Sequence, residues 1–311
     1  MGKTALLFTG QGSQCSGMGK DFYESYPCAK QVYDKFNVVT GKSISELSFQ
    51  GSDEDLRMTI NAQPCILAME IAAFEALKSQ YDLHIDFAAG HSLGEYAALY
   101  VAGVINLEAA AGLINARANA MSKVNTGAMS AIIGLGEQEL REVLKEASKK
   151  GYVDAANYNT PEQTVITGEN DAVAAANELA SRKGAKRVVP LAVSGAFHSK
   201  LMIDAAEEFE KFVIKAELSN AKFPVVTNVD ALPTTKAEDF RVKMPEQIHS
   251  SVKWVQTLNY LKEHGVDNFI EIGPAKILSG MVRKTLKDVK ISAISTKEDL
   301  EKVINDYKVE V

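Results

Sequence analysis

The stretch Ile85-Asp86-Phe87-Ala88-Ala89-Gly90-His91-Ser92-Leu93-Gly94-Glu95-Tyr96 decides how this chain is read. The apolar run Ile85 to Ala89 predicts a buried strand, and a helical pattern from about Leu93 to Ala102 follows with no linker. Between them Gly90-His91-Ser92-Leu93-Gly94 fits G-x-S-x-G, a pattern that composition alone produces in roughly one chain in ten of this length. The setting carries more than the motif, because strand, tight turn and helix are what a nucleophile elbow requires. Glycines two residues either side of Ser92 leave room for a turn that pushes its hydroxyl out at the carboxyl end of the strand. The Leu93 backbone N–H then points where an oxyanion would form, assisted by the helix dipole. An ordinary helix cap is the plain alternative for Ser92.

Outward from this stretch, strands and helices alternate, which predicts an α/β protein with a mainly parallel sheet. A first strand, Lys3 to Thr9, runs into the glycine-rich loop Gly10 to Gly19, and helical patterns follow to about Gln80, clearest from Ala62 to Lys78. Asn106 is placed to cap a helix reaching about Met121. From Gly127 the texture changes to strand 129–134, helix 137–149, strands 152–157 and 164–167, helix 171–182 and strand 186–191. That βαββαβ order is ferredoxin-like. The expected architecture is a large α/β-hydrolase-like domain, residues 1–126 and 196–311, with a small ferredoxin-like domain, residues 127–195, inserted between its halves.

The 311 residues are 46% hydrophobic, with 34 Lys and Arg against 40 Asp and Glu, a net charge of −6. This composition excludes a disordered chain, and the acidic balance argues against nucleic acid as main partner, since phosphate neutralisation needs a concentrated basic face. The most apolar window, Tyr96 to Ala116, is interrupted by Gly103, Asn106 and Glu108 and predicts two buried helices, not a membrane span. No signal peptide is legible, and Cys15, Cys28 and Cys65 match no zinc or redox spacing. These features predict a cytoplasmic protein with reduced thiols and no metal site.

A serine nucleophile needs a base, and there are five histidines. His91 is expected to leave the backbone away from Ser92, while His84, His249 and His264 lie in connectors or near helix ends. His198 follows the segment Val188 to Val193 and the turn Ser194-Gly195, on a loop of the kind that presents catalytic groups. A structural histidine fits that position equally well. The carboxylate of a hydrolase triad has no evident candidate. Gly10-Gln11-Gly12-Ser13-Gln14 fails as a dinucleotide loop because position 15 is cysteine, and it fails as a P-loop. It can offer a second oxyanion N–H, although a plain turn fits as well. Arg117 sits in an otherwise apolar helix, where a buried arginine would call for a carboxylate; an exposed helix edge fits the same periodicity.

Taken together, Phe8 to Gln14 (FTGQGSQ), Gly90 to Tyr96 (GHSLGEY), Arg117 with Met121, Gly127-Ala128-Met129, Tyr158-Asn159-Thr160-Pro161, Ala196-Phe197-His198-Ser199 and Glu271-Ile272-Gly273-Pro274 resemble the malonyl-CoA:acyl carrier protein transacylases. The resemblance runs in order from about residue 4 to 295. It implies that Ser92 is the acylated nucleophile and His198 the general base and acid, that Gln11 and Leu93 supply oxyanion N–H groups, and that Arg117 binds the malonyl carboxylate. It also implies that the backbone carbonyl of Gln247 orients His198 in place of a carboxylate, and that Phe197 crowds α-branched acyl groups. One departure is Ser251, where relatives commonly carry proline, which implies a less rigid loop.

The implied reaction passes malonyl from malonyl-CoA to acyl carrier protein through a malonyl-serine ester, with no cofactor beyond the CoA substrate. The carrier is acidic, so a basic patch is expected, with Arg187, Arg283 and Lys284 as candidates against a background of ordinary surface charge. Nothing in the sequence demands more than a monomer. A serine hydrolase with water as acceptor is the main rival, disfavoured by Arg117 and the missing acid. A non-catalytic module on the same scaffold would require Ser92, His198 or Arg117 to be defective.

Overall fold

The computed structural model describes residues 2–193 and 195–309; Ser194 of the expected Ser194-Gly195 turn lies outside them. Six strands form the larger sheet and four the smaller. In chain order they are β1 (Lys3–Phe8), β2 (Phe87–Gly90), β3 (Ala128–Ile133), β4 (Val153–Thr160), β5 (Gln163–Gly168), β6 (Arg187–Pro190), β7 (Val225–Val226), β8 (Pro233–Thr234), β9 (Val266–Ile272) and β10 (Lys290–Ile294). The larger sheet has the order β10-β9-β1-β2-β7-β8. All its pairings are parallel except β7 with β8. β8 was not legible in the sequence, because two residues beginning with proline carry no alternation to read.

The apolar run of β1 follows from burial on both faces. Ala5 and Leu7 point into a core with Trp254, Leu258 and Phe269, whereas Leu6 and Phe8 point into the opposite core with the helix Thr59–Gln80. A strand covered on both sides loses its polar positions and keeps only the period-2 division between cores. The helix Thr59–Gln80 is long and apolar enough to cross a membrane by length and composition, yet 83% of its apolar window is buried in the protein. Pro64 within it leaves the Ile60 carbonyl without its helical donor, and Lys42 Nζ fills the gap at 3.0 Å.

The smaller sheet, β4-β5-β3-β6, is wholly antiparallel, and helices Glu137–Ala147 and Asn170–Arg182 cover it around a separate core. Its β4 is tied to the larger unit: Val252 N–H donates to the Ala156 carbonyl at 2.8 Å and Tyr158 N–H to the Val252 carbonyl at 3.0 Å. Two element starts differ from the sequence reading. The helix expected from Leu93 opens as a 3-10 turn, Ser92–Gly94, before Glu95–Val101. The chain after β9 is also read as turning into a helix at Ala275, but that helix begins at Leu278, where both Glu271 carboxylate oxygens accept backbone N–H groups, from Leu278 and Ser279, at 2.7 Å each. An acidic side chain at a helix start satisfies orphan donors and complements the dipole.

Candidate active site

β1 and β2 end level, with Phe8 opposite Gly90, so the loop after β1 and the turn after β2 lie side by side at the carboxyl edge of the sheet. In open α/β sheets this edge is where loops converge on ligands. Ser92 has φ +54°, a left-handed conformation that costs a non-glycine residue energy and here turns its side chain out of the strand. The flanking glycines are required by contact. A Cβ at Gly90 would lie 2.0 Å from the Gly94 carbonyl, and one at Gly94 would lie 2.4 Å from the Phe8 and Thr9 oxygens.

Ser92 Oγ lies 2.8 Å from His198 Nε2, across 106 residues of chain. The other ring nitrogen, Nδ1, faces two backbone carbonyls, of Gln247 at 2.9 Å and Ser250 at 3.1 Å. Carbonyls only accept, so Nδ1 carries the proton and Nε2 is left to accept from the serine hydroxyl. Gln247 lies in the last turn of the helix Ala237–His249 and Ser250 follows it. Helix ends leave carbonyls unpaired and carry partial negative charge, so this terminus orients the imidazole and favours its charged form as it takes a proton. This is what stands in for the carboxylate that the sequence lacks. His198 is itself in a left-handed conformation, φ +57°. Burial, reinforced by the Arg117 charge, holds its pKa down to about 3, so the ring is neutral and able to act as a base.

Arg117 is fully buried in the helix Leu107–Ser122, not on an exposed edge. Its Nη2 donates to Ser92 Oγ and to Gln247 Oε1, both at 3.0 Å, and its Nη1 to Gln63 Oε1 at 2.8 Å. The guanidinium lies 5.5 Å from the Tyr96 ring centre. Nε has no hydrogen-bond partner, and no carboxylate forms an ion pair with this cation among the described residues. The buried Glu95 carboxylate acts on it through space without touching it, and a buried cation in contact only with neutral groups is costly unless an anion completes the site.

A cavity of about 280 Å³ brings together Gln11, Ser92, Leu93, Arg117, Phe197 and His198. The Gln11 side chain is anchored by donation to Thr59 Oγ1 at 3.1 Å, and Phe197 is 6% exposed on the cavity wall. Gly94 N–H donates to the His91 carbonyl at 3.1 Å, and Leu93, just before it, lines the cavity. Gln247 sits just behind, reached through His198 and Arg117. His91 differs from the sequence reading: it also lines the cavity, with Nε2 2.8 Å from Asn159 Oδ1 and its ring edge-on to Trp254. It makes no bond to Ser92. Arg187 lies on β6, and Arg283 and Lys284 on the helix Leu278–Thr285; all three are exposed and outside the cavity. The Ser251 hydroxyl donates to the Ala155 carbonyl at 2.6 Å, tying this loop to β4.

The residues 5–308 match the family model for the acyl transferase domain. The chain is 41% identical over 314 aligned positions to a malonyl CoA-acyl carrier protein transacylase of Bacillus subtilis, covering 100% of this chain and 99% of that one. The chain belongs to this transacylase family. Solved acyl transferases agree: an acyl-carrier-protein S-malonyltransferase from Bartonella henselae superposes with a TM-score of 0.95 at 35% identity, over 98% of this chain and 99% of that one. A malonyl-transacylase solved in complex with its type II polyketide synthase acyl carrier protein gives 0.94 at 34% identity, over the same shares.

Several residues that build this acyl transferase's site were not singled out from the sequence. Asn228 Oδ1 accepts from the Ser92 N–H and its Nδ2 donates to the Gly90 carbonyl, both at 2.7 Å, while its own N–H donates to Glu95 Oε2 at 2.7 Å. Burial raises the Glu95 pKa to about 7. The one available signal for Asn228 was its place just after a short apolar strand. Gln63 carried the same signal as Arg117, a polar residue in an apolar helix. Ser250 carried none, since its carbonyl is independent of its side chain.

Proposed function

We propose that this chain transfers the malonyl group of malonyl-CoA to the phosphopantetheine thiol of acyl carrier protein, supplying fatty acid chain elongation. The observation that carries the reading is the buried Arg117, 3.0 Å from the Ser92 hydroxyl and in contact with no carboxylate among the described residues. A hydrolase of neutral esters has no use for such a cation. An acyl group ending in a carboxylate does.

In the proposed reaction Ser92 Oγ attacks the thioester carbon while His198 Nε2 takes its proton, and the Gln11 and Leu93 N–H groups stabilise the tetrahedral oxyanion. The C–S bond breaks and CoA leaves as its thiol with the proton held by His198. The malonyl ester then waits on Ser92, its carboxylate held by Arg117. The carrier's thiol enters the same cavity, gives its proton to His198 and attacks the ester; Ser92 recovers the proton as its C–O bond breaks. Phe197 limits branching at the α-carbon. The roles require no metal or redox group, since CoA is itself a substrate. The carrier docks, in this reading, on the exposed cations Arg187, Arg283 and Lys284, beside the junction where the helix Leu278–Thr285 packs against β4.

Incubation with radiolabelled malonyl-CoA followed by peptide mapping tests the reading. The label is expected on the Ser92 peptide, stable in water and discharged on adding carrier protein. An unlabelled Ser92 peptide overturns the assignment, and rapid loss to water favours a hydrolase.

A further inference from the structure

The cavity contains two permanent cations and no carboxylate among its described lining residues. They sit at opposite depths: Arg117 is fully buried beside Ser92, whereas Arg57 is exposed. The rest of the wall mixes apolar side chains, among them Leu191 and Val193, with the amide-bearing Gln11, Gln14 and Asn157. Arg57 closes the short helix Asp53–Arg57, whose acids Asp53, Glu54 and Asp55 occupy its first turn. Asp55 is engaged in a capping box with Ser52, and no ion pair to Arg57 forms among the described residues. The segment is fixed relative to the nucleophile, because Thr59, two residues on, accepts from the Gln11 side chain at 3.1 Å.

We propose that Arg57 forms a subsite at the cavity mouth for the phosphate that ends the pantetheine arm of the thioester substrates. This deepens the proposed function and rests on it. A malonyl thioester of phosphopantetheine is an anion at both ends, joined by a chain of methylene groups and two amides. The cavity offers a cation for each end and a wall of mixed apolar and amide side chains. An arginine presents paired donors suited to phosphate, and a phosphate exposed to water at the mouth gains less from it than the buried carboxylate gains from Arg117. The same phosphate occurs in CoA and on the carrier, so one residue would serve both halves of the reaction.

The test compares substrates with and without the phosphate. In single-turnover acylation of Ser92, the ratio of kcat/KM for malonyl-CoA to that for malonyl-pantetheine is expected to fall about three- to tenfold in Arg57→Ala. It should fall further in Arg57→Glu and recover in part in Arg57→Lys. Malonyl-4′-phosphopantetheine, with a single phosphate, should behave as malonyl-CoA does. In the second half, discharge of malonyl-enzyme by 4′-phosphopantetheine should weaken against discharge by pantetheine by a similar factor. An unchanged ratio in Arg57→Ala overturns the subsite, as does a defect confined to the carrier protein and absent with both small phosphorylated substrates. Failure of the functional reading looks different: the wild-type chain would then acquire no malonyl ester from any of these thioesters.

Discussion

Asn228 Oδ1 accepts the backbone N–H of Ser92 at 2.7 Å, although 136 residues separate the two in the chain. The same amide donates to the Gly90 carbonyl, so one side chain spans the turn and holds Ser92 in its left-handed conformation. Removing it leaves the half-buried Ser92 N–H and the buried Gly90 carbonyl unpaired, the latter at about 1–3 kcal/mol. Asn228→Ala should therefore slow Ser92 acylation by tenfold or more in single-turnover measurements while the KM for malonyl-CoA changes little. Equal rates in the variant would mean that the turn holds its shape without the clamp.

Arg117→Ala should reduce selectivity for malonyl-CoA over acetyl-CoA by roughly tenfold to a hundredfold, the worth of a hydrogen-bonded charge partner. Arg117→Lys should recover little, because a point charge cannot reproduce the paired donors now held by Gln63, Gln247 and Ser92. Competition between labelled malonyl-CoA and acetyl-CoA reads the ratio directly. Equal loss of both would make Arg117 a structural residue.

His198 predicts a dependence of stability on acid. Its pKa is about 3 in the folded chain against the usual 6.5, so between these values the unfolded chain binds a proton that the native site excludes. The His198 contribution is complete above pH 6.5 and is lost as pH falls toward 3. Urea unfolding at intervals from pH 7 to 4 should show a shallower decline in His198→Gln than in the wild type.

Glu95 acts in the opposite direction. Its folded pKa of about 7 exceeds the usual carboxylate value of 4.5, so its contribution is complete below 4.5 and is lost as pH rises through 7. Glu95→Gln keeps an oxygen to accept from the Asn228 N–H but cannot ionise. Its Tm should exceed that of the wild type at pH 8 by on the order of 5 °C, with the gap closing by pH 5. A gap independent of pH would place the ionisation elsewhere.

Charge reversal at Arg187, Arg283 and Lys284 should raise the KM for carrier protein at low salt and leave the acylation half, measured with malonyl-CoA alone, unaltered. Added salt should erase the difference, since exposed charges are screened within about 10 Å at 0.1 M. An unchanged carrier KM at low salt would remove these residues from the docking surface.

Much of the architecture was legible because local pattern coincides with local structure. The strand-turn-helix around Ser92, the Asn106 cap, which accepts the Ala109 N–H at 2.8 Å, and the βαββαβ order each lie within one continuous stretch of chain. β8 and the delayed start at Leu278 were not legible, since one depends on sheet pairing and the other on the distant Glu271.

By itself the sequence determined the class of chemistry: a serine on an elbow, a histidine on a loop and an arginine among apolar residues. Only the tertiary structure decided how they act. It buried Arg117 with no contact ion pair among the described residues, replaced the missing acid with two carbonyls at a helix end, and supplied Asn228 from just after the neighbouring strand β7. The physical reason is that a backbone carbonyl belongs to every residue and leaves no mark in a sequence. Only folding decides which one faces an imidazole, and which cation is left without its anion.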